Sequence, residues 1–503
     1  MEAGSRRERG GRFGAVLLAL LAAAVASRFF RLGTWPLFGD EIYTLQDSAE
    51  FTFSLHGRPL LYWLNHQLVR PLLGLDAFGL RLLPAVFGVL GVGAVAEIGR
   101  RLVGTRAALL AGLLVVLSPW HLEMSQYARY YTLVFLLAAV SPAALYLGVR
   151  EGSARWIAAG IAATALGWFA HPTAVLPAAG FLVWLAGYAV LRTGGRRRRL
   201  LLGVLAAAAL GGLAAGVALL DTFASVADWS GIGGVALALS YGVRIGAGPA
   251  LAAAAGVALL WIDGRRELAL FLAAAAGVPL ALLAVLGELV PVHTGYLFAT
   301  APFALLAAGA FLDGTIRRVD GRTSRIVVGG AAAALVVATG LPSFVSHYVD
   351  GGKADFREPA RHIASRAGPS DVVLAEHTGP FWHYARALDA RPLRRDTARM
   401  DSLRGAAARS SPPGVLWVVP YLHSSGGFGL AGLGDARGWV WRNCRLALRD
   451  DPVRIDHVRN IVEVWRCPAE GVRASASGPP GEGAGRRDGT DESEGANGAR
   501  SAP

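Results

Sequence analysis

The sequence predicts a polytopic α-helical membrane protein with about 11 transmembrane helices and a small α/β domain near its C-terminus. Three observations carry this reading. Of the 503 residues, 53% are hydrophobic and only 17% are charged; a soluble chain of this length would divide into domains with far more surface charge. Apolar runs long enough to cross about 30 Å of hydrocarbon at about 1.5 Å per residue recur along the chain. They lie near residues 13–30, 79–99, 107–120, 131–149, 156–171, 174–191, 200–220, 246–262, 268–287, 297–312 and 326–342. Arginines then separate these runs asymmetrically. With a cytoplasmic N-terminus, the inside segments carry 20 arginines and the longer outside loops carry 5, as the positive-inside rule requires.

Residues 1–12 are basic and are expected in the cytoplasm. The following run is longer than a signal-peptide core and has no small-residue cleavage site after it, so it reads as an uncleaved first span. The membrane domain covers 13–342. Its first outer loop, 31–78, carries Phe51, Phe53, Tyr62 and Trp63, which predicts one or two short helices lying along the membrane surface. From 343 to 468 the charge rises. Strand-like runs at Asp371–Ala375, Gly414–Pro420 and Ile461–Trp465 follow a helical stretch near Phe356–Arg366, which predicts a small extracytoplasmic α/β domain. Cys444 and Cys467 are the only cysteines. A disulfide, worth about 3 kcal/mol on a chain-entropy estimate, and two buried thiols both fit their placement. Residues 469–503 have too few large apolar side chains to bury a core and are expected to be disordered.

The net charge of +13 does not imply nucleic acid, because the arginines cluster between apolar runs and form no basic face with interleaved aromatics. The abundance of Ala, Gly and Arg points to a GC-rich, bacterial genome and the charge bias to a multi-pass protein of the inner cell membrane.

Chemistry is expected after the first span, in Trp35-Pro-Leu-Phe-Gly-Asp40-Glu41-Ile-Tyr43. Adjacent acids in a turn or extended chain point in different directions, so Asp40 and Glu41 do not make a retaining-glycosidase pair by themselves. One can face a site while the other is structural, caps a helix or helps to bind a metal; taken alone, a surface or helix-cap role is the plainer account of the pair. The segments that follow add weight. They are His56-Gly-Arg58-Pro59-Leu-Leu-Tyr62-Trp63, Arg81-Leu-Leu-Pro84, Gly99-Arg-Arg-Leu-Val-Gly104 and Ser118-Pro119-Trp120-His121-Leu-Glu123-Met-Ser125-Gln126-Tyr127-Ala-Arg129-Tyr130-Tyr131. Except for the Gly-Arg-Arg turn, their polar members fall on the outer side. An acid with several arginines at headgroup level suits a lipid phosphate, since the guanidinium fork matches phosphate oxygens. Interfacial snorkelling or a structural ion pair accounts equally well for any one arginine, less well for the set.

In this order, and with Tyr296-Leu-Phe-Ala-Thr-Ala-Pro302 later in the chain, the motifs resemble the GT-C superfamily of membrane glycosyltransferases. The nearest subgroup is the bacterial enzymes similar to protein O-mannosyltransferases and lipid A aminoarabinose transferases. The resemblance covers about residues 13–312, with weaker similarity in Lys353–Ala375. It implies a GT-C fold and an inverting glycosyltransferase. The donor would be a sugar on polyprenyl phosphate, presented at the outer leaflet, and the acceptor a hydroxyl of a glycan, lipid or protein. Asp40 would be the general base. Arg58 and Arg129, then His293, and Arg81 at the mouth of the second span, would meet the departing phosphate. Glu41 and Glu123 would orient the acceptor, the base or a divalent metal, and His171 falls where relatives carry a histidine. Two departures stand out: Gly57-Arg58-Pro59-Leu60 has one proline and a shifted basic residue, and Tyr127 stands where relatives often carry glutamate. Glu123, one helical turn earlier, faces a similar direction. Two other classes compete. A transporter or flippase would place charge at mid-span, where these spans have almost none; a non-catalytic relative acting as an envelope scaffold is opposed by retention of Asp40.

Overall fold

A computed structural model describes residues 2–470 except 54–58, most of 196–232, 289–291, 377, 387, 389, 393–398, 410–413, 425–435 and 457–458. The apolar run at 200–220, Arg58 and the tail from 471 onward lie outside the described residues.

Apolar helices form a bundle, beginning with Glu2–Phe29, Ala77–Leu102, Thr105–Leu117 and Tyr131–Glu151. Among the described residues, six helices are long and apolar enough to cross a membrane singly, or nine if each of three bent pairs is one span. Two of the eleven expected runs remain: Ala154–Ala170, at 17 residues shorter than a full crossing, and 200–220. Ala301–Arg317 runs through the centre, with nearly every residue from Ala301 to Gly314 buried. Small residues let the backbones approach. A Cβ added to Gly256 would collide with the Ala307 carbonyl oxygen, so Ala247–Ile262 and Ala301–Arg317 touch main chain to main chain. Lipid tails are as apolar as leucine, so this close fit is what favours helix contact over lipid contact.

One bend positions the site. Thr105–Leu117 ends at Ser118-Pro119, and Pro119–Ser125 leaves at 62°. Pro119 has no N–H with which to continue the helix, and Ser118 Oγ accepts from His121 N–H at 3.2 Å, capping the new segment. The chain thereby lies across one end of the bundle. The loop after the first helix returns over the same end as short helices, Asp40–Ala49, Pro59–Leu64 and Arg70–Leu73, with a π-turn over Asn65–Val69.

The C-terminal part forms a six-stranded mixed sheet. Its strands are β1 (Val372–Ala375), β2 (Ala390–Pro392), β3 (Val415–Val419), β4 (Tyr421–Ser424), β5 (Arg445–Asp450) and β6 (Arg459–Pro468). The order is β2-β1-β3-β6-β4, with β5 also paired to β6. β1 pairs in parallel with β2 and β3, while β6 is antiparallel to β3, β4 and β5. The apolar runs correspond to β1, β3 and β6. β2 and β4 have three and four residues, and β5 is largely exposed, so none of them carries a strong alternating signal. One face buries Leu374, Leu416 and Val418 under Leu403; the other buries Val373, Trp417 and Val462 under Phe356 and Phe381.

Cys444 and Cys467 are joined as a disulfide. Replacing both with serine is expected to cost about 3 kcal/mol, read as a lower unfolding midpoint of the purified protein. Non-reducing peptide mapping should recover the two peptides linked.

Candidate active site

Gly39 takes a left-handed backbone (φ 55°) and starts the helix Asp40–Ala49. The two acids therefore sit in its first turn, where the helix dipole favours negative charge. Consecutive helical residues project about 100° apart, and this divides them. Glu41 is fully buried. Its Oε1 accepts from Arg81 Nε at 2.7 Å and from Ala128 N–H at 2.8 Å; its Oε2 accepts from Arg81 Nη2 at 2.8 Å and from Phe38 N–H at 3.2 Å. Lys353 Nζ stands 3.0 Å from both oxygens. Burial pushes the Glu41 carboxyl upward, but the Arg81 and Lys353 charges and these hydrogen bonds outweigh it and hold it down at about 2.

Arg81 donates its remaining N–H groups to the carbonyls of Leu32 (3.1 Å), Trp35 (2.9 Å) and Pro36 (2.7 Å). With the two bonds to Glu41, all five of its donors are engaged, and the loop before Asp40 is wrapped around them. Gln126 fastens the same loop: Trp35 Nε1 donates to its Oε1 at 3.2 Å, and its Nε2 donates to the carbonyls of Arg28 and Phe30, each at 2.9 Å.

Asp40 points the other way, its carboxylate 39% exposed and its Oδ2 3.2 Å from Arg129 Nη2. It forms part of the wall of a cavity of about 350 Å³, shared with Glu123, Tyr127, Arg244, His293, Lys353 and Tyr421. Arg129 is itself buried and donates to Tyr62 Oη at 2.8 Å and Thr44 Oγ1 at 3.3 Å; it serves as the partner of Asp40. Glu123 accepts from Arg244 Nη1 at 2.9 Å. His293 is exposed, its Nδ1 accepting from Gly295 N–H at 3.1 Å. Burial, then the charges of Asp40 and Glu41, push the Tyr127 phenol well above its ordinary value. It stays a neutral hydrogen-bonding group.

The structure thus brings together Asp40, Glu123, Arg129 and His293. Three expectations change. Arg81 has no N–H left for a phosphate. Glu41 is enclosed by five donors and is closed to a metal or an acceptor. His171 lies outside the cavity: its Nδ1 accepts from Thr173 N–H at 3.2 Å, capping the turn Pro172–Val175, and its ring stacks on Tyr130 at 4.3 Å. Among the described residues no three of His, Cys, Asp and Glu stand together as ligands, and Asp40 and Glu123 each face an arginine. Arg244 and Lys353 are site residues that motif reading missed.

Residues 56–219 match the family model described as dolichyl-phosphate-mannose-protein mannosyltransferase. The structure also superposes on ArnT from Cupriavidus metallidurans in the apo state. The TM-score is 0.52 at 17% identity, covering 94% of this chain and 100% of that one. The fold is the GT-C fold. ArnT bound to undecaprenyl phosphate gives a TM-score of 0.50 at 16% identity over 92% of this chain and 99% of that one. The archaeal oligosaccharyltransferase AglB from Archaeoglobus fulgidus, in complex with an inhibitory peptide and a dolichol-phosphate, gives 0.55 at 12% identity over 84% of this chain and 74% of that one. No curated protein matches the sequence. Within this GT-C fold, the Asp40 cavity lies where the first outer loop, the Pro119–Ser125 segment and the C-terminal sheet meet, with Tyr421 of β4 on its wall.

Proposed function

We propose that the chain is an inverting glycosyltransferase that moves a sugar from a polyprenyl-phosphate donor to an acceptor hydroxyl on the outer face of the inner membrane. The N-terminus is cytoplasmic; the membrane domain spans 13–342, and the sheet at 343–468 is extracytoplasmic, on the side of Asp40. The observation that carries this reading is a half-exposed carboxylate, set by a buried arginine, on the wall of a cavity that also holds Arg244 and His293. In the transfer, Asp40 takes the proton of the acceptor hydroxyl as its oxygen forms a bond to the anomeric carbon. The bond from that carbon to the phosphate oxygen breaks on the opposite side, its electron pair stays on the phosphate, and the configuration inverts. Negative charge grows on the leaving phosphate, so cations that strengthen their hold as it departs lower the barrier. Arg244 is the cation placed for this, with His293 beside it as a neutral N–H donor, since its Nδ1 accepts from Gly295, and Arg58 a further candidate from its motif. Glu123 orients Arg244, and Arg129 orients Asp40. That structures of this fold bind undecaprenyl phosphate and dolichol-phosphate supports a lipid phosphate as the ligand.

Undecaprenyl phosphate titrated into the detergent-solubilised protein and followed by intrinsic tryptophan fluorescence tests this. Wild-type protein is expected to bind. Arg244→Ala is expected to weaken binding about tenfold, the loss of one charge-assisted contact of about 1.4 kcal/mol. Absence of binding by the wild-type chain would remove the lipid-phosphate reading.

A further inference from the structure

Among 49 Lys and Arg residues the chain has a single lysine, Lys353. It follows Gly351 and Gly352, both in the left-handed region (φ 67° and 71°). A Cβ on Gly351 would also strike the Trp35 ring, so glycine is required there by backbone angle and by space. The turn carries the chain from the helix Leu341–Asp350 onto the catalytic loop and delivers the lysine to the cavity wall.

The ammonium there is buried. Its acceptors are Glu41, at 3.0 Å, and the Gln126 carbonyl, at 2.9 Å. An ammonium has three N–H groups; Glu41 Oε1 and the Gln126 carbonyl take two, and Glu41 Oε2, also 3.0 Å away, already accepts from Arg81 and Phe38, so the third N–H is held only by an oxygen that is otherwise satisfied. The charge balance points the same way. Glu41 is one carboxylate flanked by two cations, Arg81 and Lys353. All the Arg81 donors are engaged, so the surplus positive charge is presented by Lys353. Tyr127, whose ring lies 5.3 Å from Nζ, is neutral, and Glu123 is already paired with Arg244. Burial, reinforced by the Arg81 charge and opposed by Glu41, pulls the ammonium down to about 7.

Building on the glycosyltransferase reading, we propose that Lys353 is a substrate-binding residue whose third N–H turns from Glu41 Oε2 to the phosphate of the lipid-linked donor, on the same cavity wall as Arg244 and His293. An anion at Nζ supplies the charge that the buried triad lacks. It also ties donor binding to the Gly351-Gly352 turn, and so to the sheet that follows.

A sole lysine makes this directly readable. Reductive methylation with formaldehyde and cyanoborohydride modifies neutral amines, so near neutral pH it reaches Lys353, the one lysine of the sequence, and the N-terminal α-amine, which serves as the internal reference. Peptide mass spectrometry would follow both in the solubilised full-length protein: alone, with undecaprenyl phosphate, or with inorganic phosphate at the same concentration. Lys353 is expected to be methylated in the lipid-free protein, and undecaprenyl phosphate is expected to slow the reaction about tenfold, the effect of about one pH unit of added proton affinity, without changing the N-terminal amine. Lys353→Arg should retain undecaprenyl phosphate binding and Lys353→Met should lose about tenfold. If the lipid binds and Arg244→Ala weakens it, but Lys353 is neither protected nor needed, this inference fails and the glycosyltransferase reading stands. Equal protection by inorganic phosphate would overturn the lipid donor as its ligand. If the wild-type chain does not bind the lipid at all, both fail together.

Discussion

Asp40→Asn is expected to fold and insert as the parent does and to lose about 10²- to 10⁴-fold in sugar transfer, the usual contribution of a positioned general base. Asparagine keeps the shape of the side chain and can still accept from Arg129, but it cannot take the proton of an acceptor hydroxyl. The carboxylate is 39% exposed but Arg129 opposite it is buried, so losing the charge is expected to lower the melting temperature modestly, less than loss of a fully buried partner would. Loss of turnover far beyond the loss of folded protein is the expected signature. Turnover like the parent's would remove Asp40 as the base.

Glu41→Gln is expected to behave in the opposite way. The side chain is buried, it neutralises Arg81 and Lys353, and it fastens Phe38 and Ala128 through their amides. Removing one partner from a buried ion pair costs about 3–5 kcal/mol, because the remaining charge is left without compensation. The variant should therefore accumulate poorly in membranes and melt early, with activity falling in step with the folded fraction. Arg81→Met should do the same from the other side. A Glu41→Gln protein that melted like the parent yet had no turnover would make Glu41 a reacting group rather than a structural one.

These two expectations separate what was legible in the sequence from what was not. Helices were legible because span length and the absence of charge are properties of consecutive residues. The strands β1, β3 and β6 were legible as apolar runs, whereas β2, β4 and β5 are held by pairing with distant partners. The Asp40–Glu41 pair was visible, but its division was not: the two side chains differ by which face of a short helix each occupies, and that face is decided by Arg81, 40 residues away. For the same reason Arg81 resembled a phosphate ligand until the carbonyls of Leu32, Trp35 and Pro36 were seen to fill its donors. Arg244 and Lys353 come from segments 121 and 230 positions beyond Glu123, Arg244 outside any motif and Lys353 at the start of the weakly similar stretch Lys353–Ala375. Each nevertheless left a trace: Arg244 is the one arginine of the outer segment 221–245, and Lys353 is the one lysine of the chain.

The central claim is that the Asp40 cavity consumes a polyprenyl-phosphate-linked sugar. Mass spectrometry of polyprenyl-phosphate lipids tests it whichever sugar the lipid carries. Extracts from the parent strain would be compared with those from a strain lacking the chain and from that strain carrying either the wild-type protein or Asp40→Asn. One polyprenyl-phosphate-linked sugar should accumulate in the deletion, fall when the wild-type chain is restored, and stay high with Asp40→Asn. If no such lipid changes in the deletion, or if Asp40→Asn clears it as well as the wild-type chain does, the account is contradicted.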